Sequence, residues 1–212
     1  GGSGNPSEQT GFGVYQAMRA CAEATWGTDS LDGKTVAIQG YGNTATSLAG
    51  HLVEAGARLI VTDIDQSKSA LAAGLPGVTI VEPDHVVDVD CDIFAPCALG
   101  GVLNVETIAG LRCKVVCGSD NNQLAEDRDA ELLHDRGILY APDYLVNAGG
   151  VINVSYEIGQ PYDAGAAKEH AAGIYETMTR VIAMADDRGI TTSKAANSLA
   201  EDRIEGALGT RG

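Results

Sequence analysis

Short apolar runs alternate with amphipathic stretches through most of this chain, and purely helical spacing follows. The runs Lys34–Gln39, Arg58–Thr62, Val78–Val81, Cys91–Ala95, Lys114–Cys117 and Ile138–Tyr140 are brief and largely β-branched, as buried parallel strands require. Between them lie helical patterns. One carries Leu48, Leu52 and Val53 and closes at Gly56. Others cover Gln66–Ala73, a single turn at Pro83–Val87, Val105–Ala109, and Glu126–Arg136 ended by Gly137. After an irregular lead-in, Gly1–Pro6, a first helix from Ser7 puts Val14, Met18 and Cys21 or Ala22 on one face, with Trp26 near its end. Beyond Asn147 only helices are predicted: Gly150–Tyr156, Ala164–Asp187 and Ser193–Leu208. This order predicts an α/β fold: a doubly wound, mostly parallel sheet with right-handed crossovers, followed by C-terminal helices. Residues 1–150 would form the sheet with its N-terminal helix, and residues 151–212 would pack back on it within the same domain.

The first strand runs into Gly40-Tyr41-Gly42-Asn43-Thr44-Ala45, a GxGxxA turn opening a helix, and Asp63 follows the end of the second strand. Each piece has a mechanical role. Gly40 permits the tight turn, Gly42 lets backbone approach a pyrophosphate, and Ala45 keeps helix and strand close. The helix N-terminus offers free N–H groups to phosphate, and Asp63 can accept from adenosine ribose hydroxyls. Strand, turn, helix, strand and acid occur in the order a Rossmann-type dinucleotide site needs. The acid favours NAD over NADP, since a 2′-phosphate would meet a carboxylate, and Arg58 stands too early to compensate. The alternatives are a glycine turn that binds nothing and a site for another nucleotide-like ligand such as S-adenosylmethionine.

Three further stretches fall at predicted carboxyl ends of strands, where such sheets bind ligands. They are Ala95–Gly101, Gly118–Gln123, and Pro142–Asp143–Tyr144 through Asn147 to Gly150. Their convergence with the glycine turn predicts a cleft, in which Asn121 and Asn147 offer neutral donors and acceptors suited to a carboxamide or ribose.

Charge and composition narrow the picture. Twenty-nine acids against 14 bases give a net charge of −15, which opposes binding to nucleic acid or to an anionic membrane. It is read either as a salt-adapted surface or as an ordinary acidic protein. No apolar run reaches the length of a membrane span and the start has no signal-peptide character, so an intracellular, cytoplasmic protein is expected. The five cysteines sit mostly in apolar runs, as reduced thiols do, and Cys113 and Cys117 lack the spacing of a metal pair. No metal site is expected. His51, His85, His134 and His170 lie in or beside helices, and Lys34, Lys68, Lys114, Lys168 and Lys194 lie on helices or at strand starts rather than in rim loops. A cofactor can be held, but no catalytic acid–base group is evident.

The segments GGSGNPSEQTGFGVYQAMRA, VAIQGYGNTA, LIVTDID, CDIFAPCALGGVLN, VVCGSDNNQLAE and GILYAPDYLVNAGGVINV together resemble the cofactor-binding domain of the leucine/phenylalanine/valine dehydrogenases, of the glutamate dehydrogenase superfamily. The similarity runs in register over nearly the whole chain. It implies NAD-dependent oxidative deamination of an apolar L-amino acid to its 2-oxo acid and ammonia, reversible as reductive amination. By matching position it implies Gly40, Gly42, Asn43 and Thr44 at the pyrophosphate, Asp63 at the adenosine ribose, and Ala95, Pro96 and Cys97 along the cofactor. Thr10, Ser119, Asn121 and Asn147 would surround the nicotinamide. Asn147 would also approach the substrate, and Val151 and Val154 would line its side-chain pocket. Two departures stand out. Relatives usually carry a small apolar residue at Asp120. The family's N-terminal domain, with its catalytic lysines and aspartate and much of the oligomer contact, would lie before Gly1. The chain is therefore expected to bind NAD without turnover and to join a homo-oligomer when whole. The alternative is a stand-alone, non-catalytic dinucleotide-binding or sensing module.

Overall fold

A computed structural model of the chain describes residues 4–98, 100–158 and 162–209. Leu99, within one of the rim stretches, lies outside the described residues, as do Gly1–Ser3 of the lead-in. Six parallel strands, β1 (Thr35–Gln39), β2 (Arg58–Thr62), β3 (Val78–Ile80), β4 (Ile93–Pro96), β5 (Val115–Val116) and β6 (Leu139–Tyr140), lie in the order β3-β2-β1-β4-β5-β6. The order reverses between β1 and β4. That is the switch point of a doubly wound sheet, where a crevice opens beyond the strand ends.

Strand alternation divides the core into two layers. Val36 and Ile38 of β1, Leu59 and Val61 of β2, and Ile93 and Ala95 of β4 pack with α1 (Pro6–Trp26), α2 (Asn43–Glu54) and later helices. Ala37, Phe94, Val116 and Tyr140 face the other way. There they meet Val86 of a 3-10 turn (Pro83–Asp88), Ile108 of α4 (Val105–Gly110) and Leu133 of α5 (Asp129–Asp135). The central strands β1, β4 and β5 are thus buried on both sides, which is why they read as continuous apolar runs, while β3 at the edge is partly exposed. The short helix α3 (Gln66–Ala73) links β2 to β3, capped by the Asp65 carboxylate on the Ser67 N–H.

Several boundaries differ from the sequence reading for local reasons. β4 begins at Ile93 rather than Cys91, and Pro96 ends the strand instead of following it. The Pro96 carbonyl still accepts from the Asp120 N–H, so only the missing donor is lost. α5 starts at Asp129, not Glu126, because the Asp129 carboxylate accepts the Glu126 N–H and holds the preceding residues in a turn. A four-residue helix, α6 (Asp143–Val146), follows Pro142 where the sequence signalled only a polar stretch. The long helix expected over Ala164–Asp187 is two, α8 (Ala164–Ala172) and α9 (Ile174–Arg188), broken at Gly173.

α1 is the hub of the helical layer. It packs against α2, α7 (Gly149–Ser155) and α9, and α10 (Thr192–Gly209) completes the layer against α9 and β6. Close approach depends on small residues. A Cβ on Gly11 would stand 2.7 Å from Ser47, and one on Gly149 would stand 2.1 Å from the Gln9 carbonyl oxygen. Those contacts hang the start of α1 over the carboxyl ends of the strands.

Candidate functional site

Two cavities flank the amino end of α2. The first, about 530 Å³, is lined by Gly40, Tyr41, Gly42, Asp63, Ile64, Lys68, Cys97 and Ala98, with neighbouring residues of the same strand ends. Gly40 has φ +90°, and a Cβ there would fall 2.6 Å from the Ala98 side chain. Conformation and space both demand glycine at that position. Gly42 differs: it caps α2 in extended conformation, and a Cβ there would meet nothing within 4 Å. Its side of the turn opens on free space, and no side chain caps the helix. An uncapped helix start facing an open cradle is the physical requirement for holding a phosphate group.

Asp63 is nearly buried, its side chain 7% exposed. Its Oδ2 accepts the Tyr41 N–H at 2.7 Å and its Oδ1 accepts the Asp65 N–H at 2.8 Å. The carboxylate therefore braces the glycine turn as well as facing the cavity. The sequence reading put Lys68 on a helix and not in a rim loop. It is on α3, but its Nζ comes 3.8 Å from Asp63 Oδ2, and the residue lines the same cavity. Helical spacing gives the position and not the reach of a four-carbon stem.

The second cavity, about 600 Å³, is lined by Pro6, Thr10, Thr44, Ser119, Asn121, Asn147, Gly150, Val151, Val154, Ser155 and Ile158. Seven residues singled out in the sequence meet here: Thr10, Thr44, Ser119, Asn121, Asn147, Val151 and Val154. They come from α1, α2, the loop after β5, the residue after α6, and α7. Asn147 donates through Nδ2 to Asn121 Oδ1 at 2.7 Å. Val151, Val154 and Ile158 form an apolar strip, 75%, 43% and 76% exposed. Among the described residues, no ionisable side chain lines it.

Other predicted residues stand apart. Gly40, Gly42, Asp63 and Cys97 belong to the first cavity. Asn43 faces neither, lining instead a polar hollow between α1 and α2 with Glu8, His51 and Lys168. Ala95 is fully buried among the helices of one layer, and Pro96 is buried in β4.

The loop after β5 is held by residues that sequence patterning did not single out for this role. Asn122 has φ +55°, a left-handed conformation that asparagine tolerates better than most residues. Its N–H donates to the Asp143 carboxylate, whose other oxygen accepts the Tyr144 N–H. That tie connects the loop carrying Asn121 to the helix preceding Asn147. Buried Gln123 donates to the Gly118 and Asp120 carbonyl oxygens at 2.8 and 2.9 Å. The NNQ and PD runs are the only sequence signal for this framework.

Burial displaces titratable groups at the strand ends from their ordinary values, Asp120 and Cys97 among them. Burial pushes the Asp120 carboxyl up, with the Asn121 backbone N–H opposing and nearby Asp143 adding to the rise. One of its oxygens, Oδ2, is buried without a hydrogen-bond partner. Burial likewise pushes the Cys97 thiol up, against hydrogen bonding from Ser119.

The profile of the Glutamate/Leucine/Phenylalanine/Valine dehydrogenase family matches residues 1–72 and 61–212. Leucine dehydrogenase of Thermoactinomyces intermedius is 50% identical over 211 residues, covering 100% of this chain and 57% of that protein. Leucine dehydrogenase of Bacillus subtilis is 50% identical over 205 residues, covering 97% of this chain and 56% of that protein. The crystal structure of L-tryptophan dehydrogenase from Nostoc punctiforme superposes with a TM-score of 0.93 at 43% identity, over 97% of this chain and 62% of that one. The chain thus spans little more than half the length of these relatives.

Proposed function

Given that the chain belongs to the glutamate/leucine/phenylalanine/valine dehydrogenase family, we propose that it is the NAD-binding part of an amino-acid dehydrogenase. The whole enzyme would deaminate an apolar L-amino acid oxidatively to its 2-oxo acid and ammonia, and run the reductive amination in reverse. The observation that carries this reading is the pair of cavities on either side of the α2 amino end. One is shaped by the glycine turn and Asp63, the other by neutral polar groups beside an apolar strip.

The residues fit the cofactor. Gly42 leaves an open cradle, the α2 N–H groups lack a side-chain cap, and Asp63 faces the same cavity. In the first cavity Asp63 would accept from the adenosine ribose, while the turn's backbone would hold the pyrophosphate. In the second, Thr10, Ser119, Asn121 and Asn147 would orient the nicotinamide, and Asn147 would also meet the substrate. The bound cofactor supplies the hydride acceptor for amine oxidation. The side-chain specificity for apolar residues is supported by Val151 and Val154. The names of the relatives, leucine and tryptophan dehydrogenases, point the same way.

Among the described residues no acid–base group lines the second cavity, and proton transfer to and from the amine requires one. We assign that function to an N-terminal catalytic domain that would also cover the exposed strip Val151, Val154 and Ile158. A homo-oligomer in the cytoplasm is proposed for the whole enzyme. NADH should bind this chain saturably in a fluorescence titration and bind at least about tenfold more weakly after Asp63→Ala. The same preparation should show no turnover of leucine, valine or phenylalanine. Turnover by this chain alone would mean that the catalytic group lies within it.

A further inference from the structure

We infer that Lys68 governs how strongly this site rejects a dinucleotide carrying a 2′-phosphate. The inference rests on the NAD-binding reading of the first cavity. An acid at the end of β2 selects against such a ligand by like-charge repulsion. Here that acid is not alone. Lys68 Nζ stands 3.8 Å from Asp63 Oδ2, and both residues line the cavity with the glycine turn. The geometry divides their duties. Asp63 is 7% exposed and both of its oxygens already accept backbone N–H groups, from Tyr41 and Asp65, so it is fixed in place. Lys68 is 44% exposed and, among the described residues, makes no shorter ion pair than this one, so its ammonium can turn toward an incoming anion.

The charges facing Lys68 come from two positions. Asp63 directly follows β2. Asp65 caps α3, its carboxylate held by the Ser67 N–H and hydroxyl and drawn further toward ionisation by Lys68 itself. Lys68 is the cation between them. Within the cavity a 2′-phosphate would meet one carboxylate, Asp63, and one ammonium, and without the ammonium it would meet the carboxylate alone. NADH remains the preferred ligand, but Lys68 keeps the penalty on NADPH modest. This differs from what the sequence order suggests, since Arg58 at the start of β2 is spent on Thr35 and Lys68 supplies the charge from the following helix.

The test is a fluorescence titration of NADH and NADPH into the chain and into its Lys68→Ala and Lys68→Glu variants, each checked by circular dichroism and a thermal melt. The ratio of the NADPH to the NADH dissociation constant should rise about tenfold in Lys68→Ala, the loss of one charge-assisted contact, and further in Lys68→Glu. The unsubstituted chain should also lose NADPH more steeply with added salt than the Lys68→Ala variant does. A ratio that stays the same across the three proteins overturns the inference, while NADH binding that remains sensitive to Asp63→Ala leaves the cofactor reading intact. Binding of neither dinucleotide by the folded, unsubstituted chain overturns both.

Discussion

The two cavities at the ends of the strands are built on different plans. The first is assembled from one continuous βαβ segment with help from the end of β4: Gly40, Gly42, Asp63 and Lys68 lie within thirty residues of one another. Its central acid is nearly buried and braced by backbone donors. The second draws on five separate parts of the chain, and its apolar strip stands open to solvent. Large exposed apolar strips in a folded protein mark contact with something else. The comparison teaches that the first cavity takes its polar groups from one local segment, whereas the second brings distant parts of the chain together beside an open apolar strip.

Glycine substitutions break this comparison most sharply. Gly40→Ala places a Cβ 2.6 Å from the Ala98 side chain at φ +90°. It should cost about 2–4 kcal/mol and abolish NADH binding, as read by thermal melts and titration. Gly42→Ala meets nothing within 4 Å. It should leave the melting temperature unchanged while weakening NADH by about tenfold or more, because the added methyl occupies the cradle. Equal effects of the two would deny the distinction between a glycine needed for folding and a glycine needed for the ligand.

Smaller effects belong to the second cavity. Asn147→Ala removes the donor to Asn121. It should weaken NADH by about two- to fivefold without altering the melt by more than about 0.5 kcal/mol, since the pair is exposed. Val151→Ser, on a side chain 75% exposed, should change neither stability nor NADH affinity in this chain. In an enzyme carrying the catalytic domain, the same change should raise KM for leucine. A measurable loss of stability in this chain would show that the strip is already packed.

Asp120 gives a small effect, and it depends on pH. Its folded pKa is raised, chiefly by burial, so the folded state favours the protonated acid and is disfavoured as pH rises through that value. Asp120→Ala should therefore raise the melting temperature by about 1–2 °C at pH 7.5. The gain should disappear near pH 4, as the acid takes up its proton and the cost of burying its charge is removed. A gain that persists at low pH would implicate packing rather than charge.

How much could be read from the sequence follows the same division. The boundaries of β2 and α3 are those expected, because glycines and an Asp cap mark them locally. The glycine turn and Asp63 were legible for the same reason. In the second cavity the strand-end rule placed Asn121 and Asn147 in one cleft, whereas Thr10, Val151 and Val154 were brought there only by family resemblance, since nothing in their spacing requires them to meet. Their meeting depends on the Asp143 tie to Asn122 and on Gly149 lying against the Gln9 carbonyl. Those are tertiary contacts without a periodic signature. Lys68 escaped for a simpler reason: its backbone is on a helix, and only its side chain reaches the site.

The most direct test of the account is NADH titration of the unsubstituted chain beside Gly42→Ala, with both melted under the same conditions. The account predicts equal melts, saturable binding by the first and binding at least about tenfold weaker by the second. Equal affinity in the two, or no binding by the unsubstituted chain, would contradict the claim that the α2 amino end is a dinucleotide cradle.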